Sequence, residues 1–169
     1  MDKEYKSQPQ TPFRLNTLKL APPVAANRAI ERENLCSMIC ASQATVTLLC
    51  APAGFGKTTS MSQAFRTLKE QGVPVAWITI DPADNDIGRL SMYLVAALRG
   101  VLDELSLDPS ALGETRGDFG TGNALAYKLL EALPLIGKDF RLFIDEFEHL
   151  NDPEVMSFMD RLQIGRAHV

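Results

Sequence analysis

An α/β domain with a mostly parallel sheet is predicted by three observations. Short β-branched apolar runs alternate with stretches of helical periodicity, a glycine-rich loop joins one such run to a helix, and a later run ends in paired acids. At 169 residues with 46% hydrophobic content, the chain has the length and apolar material for one domain with a sizeable core. No internal repeat divides it. The formal net charge of -4 offers no basic field for a nucleic-acid backbone, which argues against DNA contact by these residues.

Residues 1–18 mix Lys, Gln, Ser, Thr and Pro without periodicity and read as a flexible arm before the domain proper, 19–163. A helix is predicted over Asn27 to Ala41, with Leu35, Met38 and Ile39 on its apolar face. Thr45 to Cys50 follows as a buried-looking strand. After the glycine-rich loop comes a helix in which Met61, Phe65 and Leu68 recur at helical spacing until Gly72 and Pro74 stop it. Val75 to Ile80 reads as a second strand with Trp77 in the core, and Ile87, Leu90, Leu94, Leu98, Val101, Leu102 and Leu105 mark a long amphipathic helix.

Asp108 to Asp118 is turn-rich; Leu125, Leu129, Leu130 and Leu133 then predict a helix closed by Pro134, and Leu142-Phe143-Ile144 a third strand running into Asp145 and Glu146. Parallel strands this short and apolar are expected to be covered on both faces. The last residues, Ile164 to Val169, resemble the conceptual translation of a short-read library adapter and are set aside, so the natural protein is expected to continue past about Gln163.

Cys36, Cys40 and Cys50 stand in a chain with no signal-peptide pattern, which fits a reducing cytoplasm, and with no histidine beside them they read as buried, inert thiols. No apolar run approaches the roughly 20 residues of a membrane span, so no membrane association is expected. Asp81, Asp84, Asn85 and Asp86 lack the later Gly and Glu of a calcium loop and read as a solvated, helix-capping turn. His149 reads as a surface residue beyond a strand end.

The chemistry concentrates in Ala51 to Thr59. The phosphate-loop pattern G-x-x-x-x-G-K-[ST] needs backbone N–H groups converging on an anion, a lysine for the β and γ phosphates, and a hydroxyl for Mg²⁺. Gly54-Phe55-Gly56-Lys57-Thr58-Thr59 supplies these, with Ala51 where the first glycine normally stands. The amides of Gly54, Phe55, Gly56 and Lys57 are expected to face phosphate, with Thr58 and Thr59 nearer the α-phosphate, and the helix that follows adds its positive end. The fold expected from this context is a P-loop NTPase whose ligands are ATP and Mg²⁺. Asp145, at the end of an apolar strand, is the expected metal-side carboxylate beside Thr58, and Glu146 the base that orients water; Lys57 joins it in the catalytic set.

Four stretches together resemble the large ATP-dependent LuxR-type transcriptional activators related to the maltose-regulon activator, within the STAND class of signalling P-loop ATPases. They are Lys19-Leu20 through Pro22 with Ile30-x-Arg32-x-x-Leu35; the loop APAGFGKTT; AWITIDPADND with SMYLVAALRG; and LFIDEF. The second and third are specific, the first and fourth loose, and together they cover about Lys19 to Leu150. The resemblance implies an ATPase switch in which ATP and ADP states set self-association, with sensor repeats and a DNA-binding helix-turn-helix far C-terminal to these residues. It also implies that Arg32 sits near the adenine or ribose. Glu146 departs from the family's more usual second aspartate, and the spacing at His149 differs from the family's aromatic-His pair, so no role passes to it. An AAA+ remodelling ATPase and a switch domain fused to a kinase share the same motifs and stay open as alternatives.

In ATPases resembling this one a further strand, later in sequence, lies between the P-loop strand and the Asp-bearing strand. A sheet truncated before its last strands is therefore expected, with an unfilled slot between Thr45–Cys50 and Leu142–Asp145 that leaves the isolated chain prone to aggregation.

Overall fold

The computed structural model describes residues 15–24, 30–44, 47–104, 123–133 and 139–164. Their helices are α1 (Glu33–Ala41), α2 (Lys57–Glu70), α3 (Ile87–Glu104), α4 (Asn123–Ala132) and α5 (Pro153–Ile164), and their strands β1 (Val75–Thr79) and β2 (Arg141–Asp145). The strands pair in parallel in one two-stranded sheet, from Val75 opposite Arg141 to Thr79 opposite Asp145. The sheet is thus a mixed α/β arrangement of the P-loop NTPase type, with helices on both faces.

Strand periodicity divides the core into two layers. On one face Ala76 and Ile78 of β1, with Leu142 and Ile144 of β2, meet Leu90, Leu94 and Leu98 of α3, Leu129 of α4 and Phe158 of α5. On the other face Val75, Trp77 and Phe143 meet Phe65 and Leu68 of α2, and Cys36, Ile39 and Cys40 of α1 pack against them. Trp77 and Phe143 stack with centroids 5.8 Å apart, while Phe65 stands edge-on to both. Truncating an aromatic so placed costs about 3–5 kcal/mol, so this cluster is what fixes α2, and with it the loop before α2, against the sheet.

Asp86 starts α3: its carboxylate accepts from the Arg89 amide at 2.8 Å and its carbonyl from the Leu90 amide at 2.9 Å. At the C-terminal end of the sheet the Ile80 amide donates to the Asp145 carbonyl at 3.0 Å, so the segments leaving both strands stay in register for one residue more.

Several expectations need correcting. Among the described residues, helix α1 begins at Glu33, because the Ile30 carbonyl and the Arg32 amide are both taken by the Gln63 side chain, at 3.0 and 3.2 Å, instead of by a helical turn. It packs by its half-buried Cys36, Ile39 and Cys40, and Leu35 is half-buried as well, but Met38 points to solvent. Thr45 and Val46 lie outside the described residues, and residues 47–50 form no strand: among the described residues no strand pairs with them, and Leu48 is 72% exposed. A cavity of about 1060 Å³ lies where the slot was expected, lined by Thr47 to Cys50 and by Arg141 to Glu146, with Leu94, Leu98 and Leu129 among its apolar residues.

The turn at 81–86 caps as expected, but Asp84 is fully buried, not solvated. The cysteines are less buried than expected, since Cys36 and Cys40 are half-buried and Cys50 is exposed. Burial and the neighbouring Cys36 thiol push the Cys40 thiol up to about 11, which leaves it protonated and unreactive. Leu105, the stretch 108–118 and Pro134 lie outside the described residues. No helix among the described residues is long and apolar enough to cross a membrane.

Candidate functional site

The loop that precedes α2 turns on two glycines, Gly54 at φ 82° and Gly56 at φ 80°, conformations that an L side chain enters only with strain. Gly56 is the N-cap of α2 and brings no side chain to bond the first-turn amides, so the positive end of the helix faces the loop without a protein cap. The Phe55 amide donates to the Pro52 carbonyl at 3.3 Å and closes the turn, while the Phe55 ring stands in solvent. Ser60 bonds the Gly56 carbonyl through both its amide, at 2.9 Å, and its hydroxyl, at 3.0 Å, and so holds the loop to the helix.

Lys57 and Thr58 reach different partners from the first turn of α2. The Lys57 ammonium donates to the Ala51 carbonyl at 2.8 Å, folding back over the loop, and lies 3.9 Å from Glu148. The Thr58 hydroxyl donates to the Asp145 carboxylate at 2.9 Å, a contact between residues 87 apart in sequence. Thr59 follows, half-buried on the same turn. The structure therefore brings the hydroxyl of the loop and the carboxylate of β2 to one point. Asp145 is 4% exposed, and among the described residues no cation pairs with it, so a buried anion keeps most of its acceptor capacity open beside a hydroxyl.

Glu146 takes a left-handed backbone, φ 58° and ψ 34°, the one non-glycine residue described with positive φ. Non-glycine residues rarely hold this conformation unless their surroundings over-determine it. Its carboxylate lies 3.8 Å from His149 Nε2, and its carbonyl accepts from the His149 amide at 3.1 Å. Arg32 lies against the loop: its guanidinium is 3.5 Å from where a Cβ on Gly56 would stand. Glu148, the neighbour of Lys57, and Gln63, which fixes the Arg32 backbone, were not signalled by the sequence, because neither belongs to a motif and both act through tertiary contact.

Curated relatives share this stretch of chain. The chain is 29% identical over 149 residues to the HTH-type transcriptional regulator MalT of Cronobacter sakazakii, covering 86% of this chain and 16% of that protein. It is 28% identical over 142 residues to the protein of the same name from Klebsiella pneumoniae, covering 83% of this chain and 15% of that protein. The chain thus spans about a sixth of the length of these relatives. No family model and no solved structure matches it.

Proposed function

We propose that the protein binds ATP with Mg²⁺ at Gly54–Thr59 and uses slow hydrolysis as the switch of a signal-responsive transcriptional regulator. The observation that carries this reading is the 2.9 Å bond between Thr58 Oγ1 and Asp145 Oδ1, which joins the uncapped loop to a buried, cation-free carboxylate. Among the described residues no group of three or more His, Cys, Asp or Glu forms a metal cage. A hydroxyl and one carboxylate suit Mg²⁺, which takes hard oxygens and retains several waters.

On this reading the amides of Gly54, Gly56, Lys57, Thr58 and Thr59 bind phosphate oxygens, with Phe55 shaping the turn. Lys57 leaves the Ala51 carbonyl to pair with the β and γ phosphates, Thr58 and Asp145 hold the metal, and Arg32 approaches the nucleotide from the α1 side. Mg²⁺ in this site supplies charge neutralisation of the phosphates. Glu146, at the end of the same strand, orients water and takes its proton. The relatives' name supports regulation of transcription; DNA contact and self-association in the ATP state belong, on this reading, to the whole protein in the cytoplasm.

The test is calorimetric titration of the intact protein, extended through the strands expected past Gln163, with ATP and with ADP in the presence of Mg²⁺, alongside a release assay for phosphate. Saturable binding of both nucleotides with turnover slower than about 1 s⁻¹, below the usual range for dedicated enzymes, is expected. Absence of saturable binding contradicts the reading.

A further inference from the structure

Lys19 is a lysine with almost no access to water: it is 7% exposed, and a burial so deep needs charge partners. Its ammonium donates to Asp81 at 3.0 Å and to Asp84, and sits 4.3 Å above the Tyr93 ring. The Asn16 amide donates to the Tyr93 hydroxyl at 3.2 Å, so the 3-10 turn Thr17–Leu20 is fastened at both ends to the turn after β1 and to α3. Asp84 is wholly buried and bonded on both oxygens: one accepts from Lys19 and from the Asp81 amide at 2.9 Å, the other from Arg89 Nε at 2.8 Å. Two cations and two carboxylates close a neutral cluster that freezes the 81–84 turn.

The next residue carries the connection onward. The Asn85 carboxamide oxygen accepts from the Asn151 amide at 3.0 Å and the Asp152 amide at 2.9 Å, while its nitrogen donates to Asn151 Oδ1 at 2.7 Å. Asp152 in turn caps α5 by accepting from the Glu154 amide at 2.8 Å and the Val155 amide at 3.2 Å. The excursion from Glu146 to Asp152 is therefore held at two places, by Ile80 on the Asp145 carbonyl and by Asn85 on residues 151 and 152. Both anchors sit on the segment 80–85, and between them lies the left-handed Glu146 backbone. A strained residue keeps its conformation only while its frame stays rigid.

We infer that Lys19 is a positioning residue for the site, clipping the N-terminal segment onto Asp81 and Asp84 so that Asn85 holds the loop that presents Glu146. The inference rests on the reading of Glu146 as the water-orienting base. It gives a role to two stretches of the chain, Lys19-Leu20 and the acidic turn after β1, that the nucleotide contacts leave without one.

Amide hydrogen exchange and ATP turnover, measured on the same samples, test it. Lys19→Gln is expected to speed exchange at Asn151 and Asp152 by at least about tenfold, leave α2 amides at the wild-type rate, and lower kcat while the Kd for ATP stays within about twofold. Asn85→Ala is expected to loosen the same loop and lower kcat to the same degree, with Asn16 to Leu20 still protected. If Lys19→Gln unfolds the whole chain, Asp81→Asn decides, since it removes the charge of one partner of Lys19 from a half-exposed position and should speed exchange at Asn16–Leu20 and at residues 151 and 152 while leaving α2 at the wild-type rate. Unchanged loop exchange in Asn85→Ala or in the deciding Lys19 or Asp81 variant overturns the inference, and so does a looser loop with unchanged kcat. A wild type without turnover contradicts the functional reading instead, and exchange at residues 151 and 152 then decides the clip by itself.

Discussion

Replacing Lys57 by alanine is expected to weaken ATP binding by roughly fivefold to tenfold. In the structure the ammonium is engaged with the Ala51 carbonyl at 2.8 Å and lies 3.9 Å from Glu148, so nucleotide must replace existing contacts. A hydrogen bond to a charged partner contributes about 1.5–3 kcal/mol net and one to a neutral carbonyl about 0.5–1.5 kcal/mol. Exchanging the second for the first leaves about 1.25 kcal/mol, or roughly a factor of eight in Kd. Glu148 opposes the exchange, but it is 58% exposed, and a pair so placed contributes at most about 1 kcal/mol. Glu148→Gln is therefore expected to tighten binding by no more than about fivefold, opposite in sign to Lys57→Ala. Equilibrium titration with a fluorescent ATP analogue reads both variants. A Lys57→Ala affinity within about threefold of wild type, under roughly 0.7 kcal/mol, refutes the reasoning, as does a Glu148→Gln variant that binds more weakly.

Three further outcomes follow from the same geometry. Glu146→Gln should leave ATP binding nearly intact and slow hydrolysis by about a hundredfold or more; equal rates would place the base elsewhere. Gly56→Ala should lower the thermal midpoint, because a φ of 80° costs an alanine about 1–2 kcal/mol, whereas its Cβ would meet Arg32 at an ordinary 3.5 Å; an unchanged midpoint would mean the loop relaxes freely. Partial burial pushes the Asp81 carboxyl up, but bonds from Lys19 and the Ala83 amide and the charges of Lys19 and Arg89 outweigh it, so its pKa lies below the ordinary 3.8. A depressed carboxylate contributes stability that is present above its ordinary pKa and is lost as pH falls through the folded value. Protection of the Asn16–Leu20 amides should accordingly hold from neutral pH down to about 4 and fall only below it, and loss of protection already at about pH 6 would contradict the shift.

The sequence disclosed what is periodic or tied to a motif. Leu90, Leu94 and Leu98 at helical spacing, and the short apolar runs around Trp77 and Phe143 alternating with helices, pointed to the helices, the strands and the parallel sheet. Gly54, Gly56, Lys57 and Thr58 gave the loop, and the apolar run ending in Asp145 gave the other half of the junction. Where a partner from another part of the chain decides, the sequence was silent. Residues 47–50 have the composition of a strand, but a strand exists only by pairing. Gln63 starts α1 at Glu33 by taking backbone groups that a helical turn would otherwise use. Asp84 reads as a solvated charge, because nothing local reveals that Lys19 is its counter-ion across 65 residues.

On the proposed function one junction is decisive: Thr58 Oγ1 and Asp145 Oδ1, which meet at 2.9 Å, would together hold the metal of a bound nucleotide. The most direct test is the Mg²⁺ dependence of ATP affinity in wild type, Thr58→Val, Asp145→Asn and the double variant, each titrated with Mg²⁺ and with a chelator present. Groups that serve one ion act as a unit and are not additive. The expected result is a clear gain in affinity from Mg²⁺ in wild type, its loss in either single variant, and no further loss in the double. A wild-type affinity indifferent to Mg²⁺, or an Asp145→Asn variant that keeps the full gain, would contradict the account.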